Sequence, residues 1–182
     1  MRYASIRKLD ISNGEGVGVA LFVQGCRFAC KNCFNPNTWD FNGGEEWTKD
    51  TEDKLIELVS RPYIKRLSIL GGEPLADENL DGVLHLVDRF RLSFPNKSIW
   101  LYSGYTFDYI MEGIGYDENG AFFFLDNDKK RYEIISKCDI LVEGRYIDSQ
   151  RNPSKKWAGS DNQRVIDIRK SLEQNRIVLY CD

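Results

Sequence analysis

Three of the five cysteines, Cys26, Cys30 and Cys33, fall in one short run, GCRFACKNCFNPNTW, spanning residues 25–39 of a 182-residue chain. Spacings of four and then three let a tight loop turn three thiolates toward one point, as a metal or cluster requires. A closed zinc site takes four protein ligands, and ferredoxin clusters are likewise held by four thiolates. No fourth ligand is near: Cys138 and Cys181 are isolated, and the only histidine, His85, falls in an expected amphipathic helix. The sharp reading is a [4Fe–4S] cluster on three thiolates with one open iron. Its rival is structural zinc with a remote fourth ligand, for which Cys138 is the candidate.

A second constellation is Gly71-Gly72-Glu73-Pro74, directly after an expected strand at 65–70. Glycines there let another molecule approach the backbone, because no Cβ intervenes; taken alone, the same residues also suit an ordinary turn. Gly14, Gly16 and Gly18 alternate but precede a strand and open no helix, which excludes dinucleotide and P-loop readings.

The elements that must position these residues follow from pattern. The apolar run at 17–23 is a buried strand that delivers the chain to Gly25, so the cysteines lie beyond its carboxyl end, the edge that carries function in α/β folds. A helix is expected over 51–60, capped by Thr48 or Asp50. Another is expected over 77–94, with Leu80, Val83, Leu84, Val87 and Phe90 on one face. Strands are expected at 98–102, 139–142, 164–168 and 176–180, with short helices at 107–111, 132–137 and 169–174. Residues 113–131 break the alternation and suggest an inserted hairpin or lid, and the polar stretch 143–163 suggests a surface loop. Alternating units imply an α/β fold with a mostly parallel sheet and right-handed crossovers. Five to six βα units in one domain, 1–182, make an incomplete, partial TIM-like barrel, since a full one takes about 250 residues.

Composition narrows the class. With 42% hydrophobic residues and 25 basic against 28 acidic side chains, mixed along the chain, the net charge is −3 and nothing points to nucleic acid. No apolar run reaches membrane-spanning length and the N-terminus lacks a leader's apolar core, so a cytoplasmic protein without membrane attachment is expected. An odd, clustered cysteine count fits a reducing compartment.

The spacing C-x3-C-x2-C after a first strand, with GGEP after a later one, resembles the radical S-adenosylmethionine superfamily. Asp10-Ile11 with Asn13-Gly14 and Gly16, then Leu21 to Cys26, Cys33-Phe34-Asn35 and Thr38-Trp39, resemble the glycyl-radical activases of anaerobic ribonucleoside-triphosphate reductase. So do Tyr102 to Thr106, Asp139 to Gly144 and Gly159 to Arg164, and the resemblance covers nearly the whole chain. Two departures are Asn32, where many superfamily members carry an aromatic residue, and Gly18, where related activases often carry arginine.

The resemblance implies that Cys26, Cys30 and Cys33 ligate three irons while S-adenosyl-L-methionine chelates the fourth, and that the cofactors supply the hard chemistry. Gly71, Gly72 and Glu73 would meet the methionine amino group, with Pro74 fixing the turn. Backbone groups of Asn32 and Phe34 would hold adenine, and Ser103-Gly104 the ribose or methionine portion. The implied partner is the large subunit of the anaerobic reductase, which would lose a glycine Cα hydrogen to store a glycyl radical, and the implied electron donor is a low-potential carrier such as flavodoxin. The alternatives are another small enzyme of the superfamily, such as a different glycyl-radical activase or a 7-carboxy-7-deazaguanine synthase, and a non-enzymatic zinc or electron-transfer module. Ser160 to Arg164 reads equally as a polar turn or as a docking element.

Overall fold

A computed structural model describes residues 1–116, 122–124 and 126–181. The chain opens on β1 (Arg2–Asp10) and returns as β2 (Gly18–Val23). A 3₁₀ turn at Pro36–Thr38 and β3 (Glu45–Glu46) lead to α1 (Lys49–Ser60), whose cap is Thr48, accepting from the Thr51 N–H at 3.2 Å. Then come β4 (Arg66–Gly71), α2 (Leu80–Ser93), β5 (Ser98–Ser103) and α3 (Phe107–Glu112). The remainder is β6 (Ile114–Tyr116), β7 (Phe122–Phe124), α4 (Asp126–Ser136), β8 (Ile140–Glu143), β9 (Arg164–Asp167), α5 (Ile168–Gln174) and β10 (Leu179–Cys181). No helix among the described residues is long and apolar enough to cross a membrane.

The main sheet has the order β10-β9-β8-β5-β4-β2-β1-β3. The run β2-β4-β5-β8 is parallel and built by helical crossovers. The sheet is nevertheless mixed, not mostly parallel as expected: β1 pairs antiparallel with β2 and β3, and β9 antiparallel with β8 and β10. A short turn from β1 to β2 can only reverse the chain, whereas the long 144–163 stretch between β8 and β9 holds a 3₁₀ turn and no α-helix, and β10 returns antiparallel to β9 after α5. β1 escapes a reading by hydrophobicity because only Asp10 in it is buried.

Residues 113–131 divide into two parts. Ile114 to Tyr116 pairs antiparallel with Phe122 to Phe124 as a separate ribbon, and the connecting residues lie outside the described ones. From Asp126 the chain is already α4, the crossover helix into β8, with Ile134 and Ile135 buried.

Alternation across the strands separates two faces. Leu21, Val23, Leu67, Ile69, Ile99, Leu101 and Leu141 pack with the buried faces of α1, α2 and α4, where α2 offers Leu86 more deeply than Leu84. Ala20, Phe22, Leu70, Trp100, Val142 and Val165 belong to the opposite, concave side. There Arg66, fully buried, donates to the Asp10 carboxylate at 2.7 Å and to Ser68 Oγ, and a Cβ on Gly18 would come within 2.5 Å of its Cγ. The Tyr180 hydroxyl of β10 donates to the carboxylate of Glu15 in the turn between β1 and β2.

Candidate functional site

A cavity of about 610 Å³ opens at the carboxyl ends of β2, β4, β5 and β8. Cys26, Cys30 and Cys33 line it together with Gly71-Gly72-Glu73 and Ser103-Gly104. Parallel strands bring these stretches to one edge, since each strand ends where its neighbour ends.

The cysteine loop is closed at its base by the backbone. Gly25 N–H donates to Thr38 O at 2.8 Å and Cys26 N–H to Trp39 O at 3.0 Å. Gln24, 2% exposed, ties down the returning chain, Nε2 donating to Asn37 O at 3.1 Å and Asp40 O at 2.8 Å. Gly25 (φ +96°) lies in the conformation favouring glycine, and Ala29 (+46°) and Asn32 (+56°) make the left-handed turns that coil the loop.

Burial pushes the Cys26 thiol up to about 11, with the Glu73 carboxylate adding to it. Burial also raises Cys30, and neighbouring Cys33 reinforces the shift. Without a metal these thiols favour the protonated form, and a metal or cluster bound there would displace those protons. Among the described residues no three His, Cys, Asp or Glu side chains converge tightly enough for a single ion. Cys138 is 1% exposed in the helix-side core, its Sγ donating to Ile134 O at 3.2 Å, so the zinc reading that recruits it is overturned. Three thiols spread around one cavity fit a multi-iron cluster, in which each thiolate meets a different iron.

The second wall is fastened to the first. Gly72 N–H donates to Val23 O at 2.9 Å and Glu73 N–H to Gly25 O at 2.7 Å, and a Cβ on Gly72 would lie 2.5 Å from Gly25 O. Gly71 adopts φ +101°. Glu73 is 3% exposed and its carboxylate is a brace: Oε1 accepts from Leu75 N–H at 2.9 Å and Ser103 Oγ at 2.7 Å, and Oε2 from Gly104 N–H at 2.7 Å. Burial nonetheless pushes its carboxyl up to about 7, against those bonds and Arg131, which favour the charged form.

Asn79 is a site residue that pattern reading missed. It is 1% exposed, and its Nδ2 donates to Gln24 O at 3.0 Å and Glu73 O at 2.9 Å, joining the two loops from below. An Asn just before a helix reads as a cap, yet this side chain makes no capping bond.

Phe34 lines the cavity, 63% exposed, edge-on to Tyr146 with centroids 5.1 Å apart. Two expected residues do not line it. Asn32 turns away and donates to Asp148 Oδ2 at 2.9 Å, and Pro74 is buried in the turn behind Glu73. The far wall includes Gly144, Arg145, Tyr146, Trp157, Gly159 and Gln163.

A family model described as a 4Fe–4S single cluster domain matches residues 12–166. The anaerobic ribonucleoside-triphosphate reductase-activating protein of Vibrio cholerae is 36% identical over 167 residues, 91% of this chain and 97% of that protein. The protein of the same description from Escherichia coli K12 is 34% identical, over 93% of this chain and all of its own length. That of enterobacteria phage T4 is 35% identical, over 91% and 93%.

Proposed function

The chain belongs to the anaerobic ribonucleoside-triphosphate reductase-activating protein family, and from that premise we propose that it is a radical S-adenosylmethionine activase installing a glycyl radical on the reductase's large subunit. The observation that carries the reading is the convergence of Cys26, Cys30 and Cys33 with Gly71, Gly72 and Glu73 on one cavity.

Cys26, Cys30 and Cys33 would hold a [4Fe–4S] cluster beside S-adenosyl-L-methionine. When bound, that pair supplies low-potential reduction and a 5′-deoxyadenosyl radical able to take a glycine Cα hydrogen. The protein's share is positioning. Gly71 and Gly72 let the second wall pack directly on Phe22 and Gly25, where a Cβ would clash, and Gly25 with Asn79 fixes the distance between the walls. Ser103 and Gly104 are held by the Glu73 carboxylate, which suits them to the polar part of the cofactor. Exposed Phe34 at the rim suits contact with adenine or the incoming glycine loop.

A partial barrel belongs to the same proposal, supported by the parallel β2-β4-β5-β8 core. So do a reducing, cytoplasmic setting and a flavodoxin-like electron donor.

The test combines anaerobically reconstituted, reduced protein, S-adenosylmethionine and the large reductase subunit, and records the EPR spectrum. A glycyl-radical signal dependent on all three is expected. Cleavage of S-adenosylmethionine without any radical on a competent reductase would overturn the assigned partner.

A further inference from the structure

The segment after β8 has so far only a place in the far wall, and Asn32 only a contact away from the cavity. Resting on the reading of Cys33 as a cluster ligand, we propose that Asp148 and Tyr146 are positioning residues that hold the Cys30–Cys33 turn in shape for a cluster by gripping both chain neighbours of Cys33.

The turn is four residues long. Cys33 N–H donates to Cys30 O at 3.1 Å, with Lys31 and Asn32 as the central pair. Asn32 takes the left-handed position, φ +56°, which asparagine tolerates better than most residues. Both central residues are exposed, so burial does not hold the turn and contacts from another element must.

Those contacts come from across 116 residues of sequence, where Asn32 Nδ2 donates to Asp148 Oδ2 at 2.9 Å. The other oxygen of that carboxylate, Oδ1, accepts from the Tyr146 hydroxyl at 3.0 Å. The Tyr146 ring in turn rests edge-on against Phe34, centroids 5.1 Å apart. One element therefore holds position 32 through a carboxylate and position 34 through a ring, with Cys33 between them.

The gripping element is itself braced. Gln163 Nε2 donates to Gly144 O at 2.8 Å and Asn162 Nδ2 to Arg145 O at 2.8 Å. Ile147 N–H donates to Ser160 Oγ at 3.2 Å, and Asp161 N–H to Gln150 O at 2.8 Å. Ser160 is fully buried. Asp148 opens the 3₁₀ turn Asp148–Gln150 between these fastenings, so its carboxylate is presented from a fixed backbone. The Gly159 to Arg164 stretch thus acts on the cysteine loop at second hand.

A ligand loop that is already ordered loses less conformational freedom when a cluster binds, and it releases the cluster less readily. Two contacts at the flanks of Cys33 supply that order locally, and the buried core does not depend on them.

The test uses Asp148→Ala, Asp148→Asn, Asn32→Gly and the double variant of Asn32→Gly with Asp148→Ala. In the cluster-free chain, exchange of the Cys33 amide followed by NMR is expected to quicken roughly fivefold in Asp148→Ala and in Asn32→Gly, the effect of losing one ordinary hydrogen bond. The double variant should exchange no faster than the faster single one, because both changes remove the same bond. Asp148→Asn should match wild type, since an amide accepts from Asn32 and donates to the Tyr146 hydroxyl. After reconstitution to equal iron, a chelator should strip Asp148→Ala faster than wild type by roughly the same fivefold factor. Urea midpoints should stay near wild type throughout.

Unchanged Cys33 exchange or unchanged iron loss in Asp148→Ala overturns the proposal. So do additive effects in the double variant, Asp148→Asn behaving like the alanine, or a fall in urea midpoint that accounts for the lost protection. Failure of the wild-type chain to bind a cluster would count against the activase reading instead, and the exchange measurement would still judge the grip on Cys33.

Discussion

Ser103 Oγ donates to Glu73 Oε1 at 2.7 Å across thirty residues of sequence, and Gly104 N–H takes the other oxygen of the same carboxylate. One buried side chain thus locks the turn after β5 to the loop after β4. The wall that faces the cysteines is tied together through a buried carboxyl whose pKa burial raises.

The first prediction follows from that displacement. Glu73 is raised from 4.5 to about 7, so between those values the folded chain keeps a proton that the unfolded chain releases. Stability therefore falls as pH rises through this window and levels off above it, by about 3 kcal/mol at most. Glu73→Gln should flatten this part of the profile while losing the Gly104 bond. Urea unfolding of the cluster-free chain between roughly pH 5 and 8 checks it; parallel profiles for the two proteins would contradict the assignment.

Cys30→Ala should abolish iron binding and cleavage to 5′-deoxyadenosine while leaving the fold intact, because Cys30 is only part-buried in a loop. Cys138→Ala should keep its iron and lose only about 1 kcal/mol from the core. Iron analysis with thermal unfolding of both variants separates ligand from packing cysteine.

Gly72→Ala should destabilise the chain by about 1–3 kcal/mol, the usual cost of overpacking, since its Cβ would lie 2.5 Å from Gly25 O. The strain falls on the junction of the two walls, so S-adenosylmethionine affinity should drop as well. Denaturant unfolding and equilibrium binding test the pair of effects.

Asp10→Ala should cost about 3–5 kcal/mol, because it strands the fully buried Arg66 charge. Desolvation works to raise Asp10, but hydrogen bonds from Arg66 and Asn13 outweigh it and leave the carboxyl below its ordinary value of 3.8. Its contribution is therefore present above about that pH and fades as acid carries the chain through the lower, folded value. Urea midpoints for wild type and variant at neutral and acid pH check both size and direction.

Some features were legible because they are local. The buried strands 18–23, 66–71, 98–103 and 140–143 are short apolar runs that periodicity detects, and Thr48 announces its helix by capping chemistry. β1 was not legible, because a strand whose side chains are mostly exposed carries no hydrophobic signal. The antiparallel course of β9 and β10 was hidden too, since strand direction depends on where the chain re-enters the sheet.

The sequence alone determined the candidate donors: three thiols at spacings of four and three, a double glycine after a strand, and no nearby fourth donor. These are matters of residue type and local distance, which covalent geometry transmits directly. Tertiary structure alone decided how they are used. It made Glu73 a brace, placed Asn79 beneath both loops, turned Asn32 away from the cavity, buried Cys138 elsewhere, and tied Asn162 and Gln163 to the carbonyls of Arg145 and Gly144. Those roles depend on which distant polar groups meet once water is excluded, and no local pattern encodes that meeting.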